Sequence, residues 1–523
     1  MVLAQQAPAI RFDVDAAGEA KPISRFIYGI NGLDVPYTNL TFNRMGGNRI
    51  SAYNWTNNAS NAGNDWHFQS DDYLVSGPAY KNLADVPGGA CIPSIQISAE
   101  KNAALILTIP MAGYVSAHRT PTISDVRQVP DYLKTEFRPV QPKKNAPFTL
   151  TPDPNSPIVY QDEFVNWVKT KYPYAEADPM HPIWFDLDNE PDIWASTHAE
   201  VHPQPVTYAE LVSKSTDYAK AIKDVMPGTL IFGPVNYGWH GYQTLQDAPD
   251  GRGRDFQDFY LAQMAAAQGT AGKRLLDVFD VHYYPEATGN GVRVCMTSKD
   301  ANAPPVAAAR VQATRSLWDP NFTEVSWITK SSTHGPIRLI PLLKEKIAAH
   351  YPGTRLSFTE YDFGGGEDIS GGIAQADALG IFGVQGVFAA ALWPAGSQIP
   401  YQGAAFEMYR NFDGNNAAFG DTSIRARTSS IQDSAIYASR DSKNPRRMVI
   451  VLINRSEQPR TSTLQLHDAG RFTQAQAFQL TGAGPRIQAA GTIGIKDGHN
   501  LDYTMPARSV TTIELTGDQA TGP

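Results

Sequence analysis

Cysteine is nearly absent from this chain: Cys91 and Cys295 are the only two among 523 residues. They allow at most one disulfide and, at that spacing, no zinc site; two unpaired buried thiols fit the sequence equally well. No block of Lys and Arg occurs, and the net charge is −8. Nucleic acid is therefore excluded as a main partner, since nothing would neutralise its phosphates. No apolar run reaches the roughly 18 residues needed to span a bilayer, so no membrane segment is expected. The HExxH, EF-hand and Cys/His cluster patterns are missing too, which leaves no metal site assignable from the residues alone. Tryptophan stops at Trp393 although the chain runs on to Pro523. Any aromatic binding surface therefore belongs to the earlier part of the chain.

The composition is ordinary for a globular protein, with 42% hydrophobic and 18% charged residues. The length exceeds one core and implies about two to three domains. At the start, Val2-Leu3-Ala4 offers the small residues a signal peptidase accepts, but no basic or apolar stretch precedes it. Either the chain is a mature secreted protein with a short added start, or it is a cytoplasmic protein with a chance match.

IRFDVDAAGEAKPI supplies one short alternating strand. After it come eight apolar segments, at 26–32, 42–48, 104–111, 183–190, 230–239, 278–285, 355–363 and 387–394. Continuous apolar runs are expected where both faces of a parallel strand are covered. Helical patterns precede the fourth to eighth: QDEFVNWVKTKY, TYAELVSKSTDYAKAIKDV, DFQDFYLAQMAAAQ, IRLIPLLKEKIAAHYPG and GIAQADALGIFGVQG. Thr207 and Glu210 have capping-box spacing. The first two connections lack clear helices. The alternation predicts an α/β fold, a (β/α)8 TIM-like barrel over 23–424. From 425 to 523 short β-rich segments separated by Gly, Pro and Asn turns predict a β-sandwich. The lone strand within 1–22 has no place in the barrel and is expected to join that sandwich.

In such barrels chemistry gathers at the C-terminal strand ends. Those ends carry Arg44 and Asn48, Asn189 and Glu190, Asn236, His282 and Tyr284, Glu360, and Trp393. A single Glu at a strand end is more often a solvated or paired group. Two of them, at the fourth and seventh ends with Asn, His, Tyr and Trp around, suit glycosidic bond cleavage by paired carboxyls. Pro191 steers Glu190 away from right-handed helical geometry, which predicts a carboxylate at a fixed strand end. Asp186 and Asp188 share the parity of Glu190. Either their charge raises the pKa of Glu190, as a general acid requires, or both are merely hydrogen-bonded and buried. Trp167 and Trp184 fall on core positions. Trp55, Trp66, Trp194, Trp239, Trp318, Trp327 and Trp393 fall in or beside loops, where exposed indoles would suit an extended polysaccharide cleft.

RMGGNRISAYNWTNNASNAGNDW, LDNEPDIWASTHAEVHPQPVTYAEL, DVHYYPEA, SFTEYDFGGGEDISGGIAQADALGIF and AAALWPAG together closely resemble glycoside hydrolase family 44. That family comprises secreted bacterial β-1,4-glucanases, many of which cleave xyloglucan. The resemblance implies a retaining endoglucanase with Glu190 as acid/base and Glu360 as nucleophile. Asn189 would bond the sugar 2-hydroxyl, and Arg44 or Tyr284 would hold the nucleophile ionised. Asn48, His282, Trp55, Trp66, Trp327 and Trp393 would line the substrate site. No cofactor is implied for the chemistry. A structural calcium is compatible with the family but has no assignable ligands here, and Asp186 departs from the family pattern toward acidity. A β-glucan substrate, a monomer and an extracellular location complete the expectation. Its alternatives are a retaining xylanase or arabinofuranosidase on a similar framework, or a non-catalytic polysaccharide-binding protein.

Overall fold

The computed structural model describes residues 8–120, 123–296, 299–394 and 398–517. The Val2-Leu3-Ala4 motif lies outside the described residues. Eight parallel strands close into a barrel: β1 (Gly29–Asn31), β2 (Phe42–Met45), β3 (Ala104–Ile109), β4 (Ile183–Leu187), β5 (Ile231–Asn236), β6 (Val278–Tyr283), β7 (Arg355–Tyr361) and β8 (Ala389–Leu392). Each pairs with the next in chain order, and β8 pairs with β1 to close the ring.

Side-chain alternation explains both the apolar runs and the site. One parity faces the surrounding helices: Phe185, Leu187, Leu105, Leu107 and Phe279 join the large outer core. The other parity fills the barrel with an apolar plug of Phe42, Ile106, Trp184, Phe232 and Val278. Trp184 stacks on Phe232 with ring centres 5.6 Å apart. One layer higher, the same parity delivers Arg44, Asp186 and Asp280, all buried. The barrel is thus apolar below and ionic at its mouth.

The five predicted helices form, as Gln161–Lys171, Tyr208–Val225, Phe256–Ala271, Leu339–His350 and Ile369–Gln385. A helix at Ile92–Glu100, with Pro93 in its first turn, precedes β3 and was not legible as a pattern. The Thr207 box is one-sided. Its side chain accepts from Glu210 N–H, but the Glu210 carboxylate turns outward to His202 at 2.9 Å and Lys214 at 3.5 Å. Both cysteines are free thiols.

The second domain runs from Thr422 to Gly517 and receives the N-terminal strand Ile10–Asp15. That strand pairs antiparallel with Thr422–Thr428 and parallel with Arg460–His467. Through Thr422–Thr428 the pairings run on as one continuous 11-stranded sheet. Phe12, Val14, Ile424, Ile450, Leu464 and Ile513 fill its interior. On its barrel side Tyr437, Val449, Val451 and Val510 merge with the outer barrel core. Within that contact the buried Asp377 takes hydrogen bonds from Arg455 and Tyr437, both at 2.7 Å.

Candidate active site

Arg44, near the end of β2, is the hub of the barrel mouth. Its guanidinium is fully buried. Nε donates to Asp186 at 2.8 Å, Nη1 to Glu360 Oε1 at 2.6 Å, and Nη2 to Asn189 Oδ1 at 2.9 Å. A buried guanidinium is tolerable only when its donors are paired in this way. Asn189 passes the order on, since its amide donates to Asn48 Oδ1 at 3.1 Å and Asn48 donates to Asp65 at 3.1 Å.

The strand carrying Glu190 ends earlier than the sequence predicts. β4 stops at Leu187, and Glu190 sits in the left-handed region at φ 44°, ψ 57° rather than extended. Proline at 191 disfavours the right-handed region. The Glu190 N–H is tied to Val235 O on β5 at 3.0 Å, and that bond holds the strained turn. On the opposite side the β6–β7 register shifts between Asp280 and His282, which sets His282 directly beside Glu360. Such irregularities re-aim side chains at barrel rims.

These devices bring the two glutamates together. A ligand oxygen of Glu190 and one of Glu360 lie within 4.8 Å of each other. Their surroundings differ. Glu360 accepts from Arg44 and, at 2.7 Å, from the Tyr284 hydroxyl. Among the described residues the Glu190 carboxyl meets the His282 Nδ1, at 2.9 Å, and the same nitrogen is 3.4 Å from Glu360. Burial pushes the Glu190 pKa well above the usual carboxylate range, and the negative charges of Glu360 and Asp192 push the same way against Arg44. Burial raises Glu360 too, but Arg44 and Tyr284 pull it back. Of the two, Glu190 is the carboxyl held more strongly toward its protonated form. His282 is neutral, because burial and Arg44 drive its pKa well down.

Asp186 and Asp188 take the less active of their two readings. Asp186 is the partner of Arg44. Asp188 is consumed by Ser51 and by the backbone N–H groups of Met111, Ala112 and Asn189. The nearby like charges that act on Glu190 are Glu360, Asp192 and Asp65. Asp192 was missed in the sequence, although it stands two residues beyond Glu190 in the same motif. Asn31 was missed as well; its oxygen lies 3.5 Å from Arg44 Nη1.

The tryptophans divide differently from the sequence expectation. Trp55 is buried beside Phe164 and Trp167, with its indole N–H bonded to Tyr160 O, so it cannot present a face to a sugar. Trp194 and Trp239 are buried as well, their indoles donating to Asn189 O and Ser332 Oγ. The cause is long-range: helix Gln161–Lys171 covers Trp55, which local sequence does not reveal. Trp66 and Trp327 are exposed, at 57% and 42%. Trp393 is partly exposed after β8 and lies over Gly47, where φ is +89° and a Cβ would come within 2.8 Å of the indole. Glycine at 47 is thus required for that approach.

Among the described residues, one grouping of three His, Cys, Asp or Glu side chains has metal-ligand spacing: Glu190, His282 and Glu360. Calcium takes six to eight oxygens. An imidazole and two carboxylates, one of them already engaged with Arg44 and Tyr284, do not fit it, so the structural calcium compatible with the family has no site assigned among the described residues.

Two unlike carboxyls facing each other at the mouth of a (β/α)8 barrel form the equipment for glycoside hydrolysis. The glycoside hydrolase family 44 model matches residues 59–287. Endoglucanase A of Paenibacillus lautus is 41% identical over 97% of this chain and 73% of its own length. A family 44 xyloglucanase from Paenibacillus polymyxa, solved with xyloglucan, superposes with a TM-score of 0.93 at 38% identity, covering 98% of this chain and all of that one. A family 44 endoglucanase from Clostridium thermocellum superposes with a TM-score of 0.92 at 40% identity, over 97% of this chain and 100% of its own. The chain belongs to glycoside hydrolase family 44, and it is a glycoside hydrolase of the endoglucanase/xyloglucanase type.

Proposed function

We propose that this enzyme cleaves internal β-1,4-glucosidic bonds of cellulose-type β-glucans and xyloglucan with retention of configuration. Glu360 attacks the anomeric carbon while Glu190 gives its proton to the departing glycosidic oxygen. A covalent glycosyl–Glu360 ester results. Glu190, now a carboxylate, then removes a proton from water, which displaces Glu360 and restores both groups. The observation that carries this reading is the pair itself. Oxygens within 4.8 Å suit a retaining pair, for which about 5–5.5 Å between carboxyls is usual, and leave no room for the water an inverting enzyme holds at 6.5–9.5 Å.

The neighbours support the division of labour. Arg44 and Tyr284 keep Glu360 ionised and fix its two oxygens. Asn189, oriented by Arg44 and Asn48, is placed to bond the 2-hydroxyl of the sugar at the cleavage point. Trp66 and Trp327, which are exposed, and Trp393, which is partly exposed, are available to stack on glucosyl faces. The chemistry needs no cofactor. No helix among the described residues is long and apolar enough to cross a membrane. A polymeric substrate that cannot enter a cell suits an enzyme acting outside it. The family membership does not favour the xylanase, arabinofuranosidase or binding-protein alternatives.

Glu190→Gln tests the acid assignment. It removes the proton that a poor alcohol leaving group needs, so turnover of polymer should fall about 10³-fold or more. An aryl glycoside with an acidic phenol needs little protonation and should lose far less in bond cleavage. Equal losses on both substrates would contradict the assignment.

A further inference from the structure

His198 follows the short helix Trp194–Thr197, in the loop that leaves Glu190, and its side chain is fully buried. Its two ring nitrogens face two acceptors. Nδ1 lies 2.8 Å from Glu200 Oε1, and Nε2 lies 2.7 Å from the backbone oxygen of Asn48. A carbonyl oxygen only accepts, and so does an ionised carboxylate. A neutral imidazole has one N–H and serves one of them; an imidazolium serves both. Glu200 is fully buried as well, so the ring and its counter-charge compensate each other where neither would be tolerated alone. Burial works against a charged ring here, but Glu200, Asp188 and the Asn48 carbonyl outweigh it and raise the His198 pKa.

What the ring holds is the start of the helix Asn48–Ser51 that follows β2. With its main chain tied to His198, Asn48 spends both ends of its side chain: Oδ1 accepts from Asn189 at 3.1 Å, and Nδ2 donates to Asp65 at 3.1 Å. Asn189 Oδ1 accepts from Arg44 at 2.9 Å, which fixes which way its amide points. One of its two N–H bonds goes to Asn48, and the other is left for a sugar hydroxyl. The loop after β4 thus reaches across to the loop after β2 at His198, and it is tied again to its own start where Trp194 Nε1 donates to Asn189 O at 3.1 Å. A third segment packs on the ring. A Cβ on Gly63, where φ is +54°, would come within 2.9 Å of His198 Cε1, so a side chain there would displace the imidazole.

We propose that His198 is a positioning residue of this glycosidase, an imidazolium held by Glu200 that fixes Asn48 and, through it, the Asn189 amide that bonds the sugar 2-hydroxyl. This rests on the role given to Asn189 above. The effect reaches the transition state through two side chains, so it is felt only where the 2-hydroxyl is present. The rule that chemistry sits at strand ends passes over His198, which stands in the loop beyond one.

Two measurements on the full chain test it. The first is the nitrogen-15 NMR spectrum of histidine-labelled enzyme at about pH 7.5, where an ordinary histidine of pKa about 6.5 is mostly neutral. One ring should show both nitrogens bonded to hydrogen, and its signals should vanish in His198→Gln. The second compares an aryl β-cellobioside with its analogue lacking the 2-hydroxyl on the sugar bonded to the aryl group. The wild type should lose about 10²-fold or more in kcat/KM on the deoxy substrate. His198→Ala should lose about tenfold on the hydroxyl substrate but little on the deoxy one, a coupling that general destabilisation would not give. His198→Gln, which keeps an N–H where Nε2 stands, should recover most of that loss. His198→Asn keeps an N–H toward Glu200 but not toward Asn48; it should behave as His198→Ala and takes its place should that variant not fold. A neutral His198 in the spectrum, or equal losses on both substrates, overturns the proposal. A wild-type enzyme indifferent to the 2-hydroxyl overturns instead the role of Asn189 beneath it.

Discussion

Glu190 and Glu360 are the same residue type in the same mouth, and only their neighbours make them different. Glu360 has a guanidinium at 2.6 Å and a phenol at 2.7 Å; Glu190 has a neutral imidazole. The proposed mechanism needs the first ionised and the second protonated. Activity should therefore fall as pH drops through the Glu360 pKa and fall again as pH rises through the elevated Glu190 pKa. Arg44→Lys tests the source of the asymmetry. A single ammonium cannot replace three directed donors. The acid limb of the kcat/KM profile should move to higher pH, with a loss of about 10²-fold at the optimum. A profile that drops uniformly without moving would show that Arg44 acts only by holding structure.

At the scale of elements, several strand ends deliver the side chains of the site, and the delivery depends on local departures from regular geometry. The alternation of apolar runs made all eight strands legible, and the rule that chemistry sits at their C-terminal ends picked out Arg44, His282 and Glu360 directly. The left-handed turn at Glu190 and the β6–β7 register shift were not legible, since both arise from pairing with a neighbouring strand. Exposed and buried indoles were equally hard to separate: Trp55 and Trp66 occupy similar loop sequence, and only a distant helix decides which is covered. The same layering has a cost. Asp280 is fully buried on β6, accepting from Ser357 Oγ at 2.6 Å and Thr359 N at 3.1 Å, and burial raises its pKa to about 7. An acid whose folded pKa exceeds its unfolded value of 3.8 binds more protons when folded. Its contribution to stability is therefore lost as pH rises from about 4 to about 7. Asp280→Asn should flatten that part of the Tm-against-pH curve. A decline over this interval as steep as that of the wild type would exclude Asp280 as its source.

The whole molecule is a barrel braced by a folded sheet. The N-terminal strand is built into that sheet between segments more than 400 residues away, and the sheet's outer face shares a core with the barrel helices. The alternating IRFDVD pattern revealed the strand, and its lack of a barrel partner revealed its destination; its parallel pairing with Arg460–His467 could come only from the fold. The bracing holds helix Ile369–Gln385, which follows β7, through the buried Asp377–Arg455 pair, and so steadies the strand that carries Glu360. The proposed mechanism requires Glu360 to be the nucleophile of a retaining pair. Its most direct test is peptide mass mapping after inactivation with a 2-deoxy-2-fluoro cellobiosyl fluoride. One fluoroglycosyl group should be found, on the peptide containing Glu360 and on that residue; its absence, or its attachment to Glu190, would contradict the account.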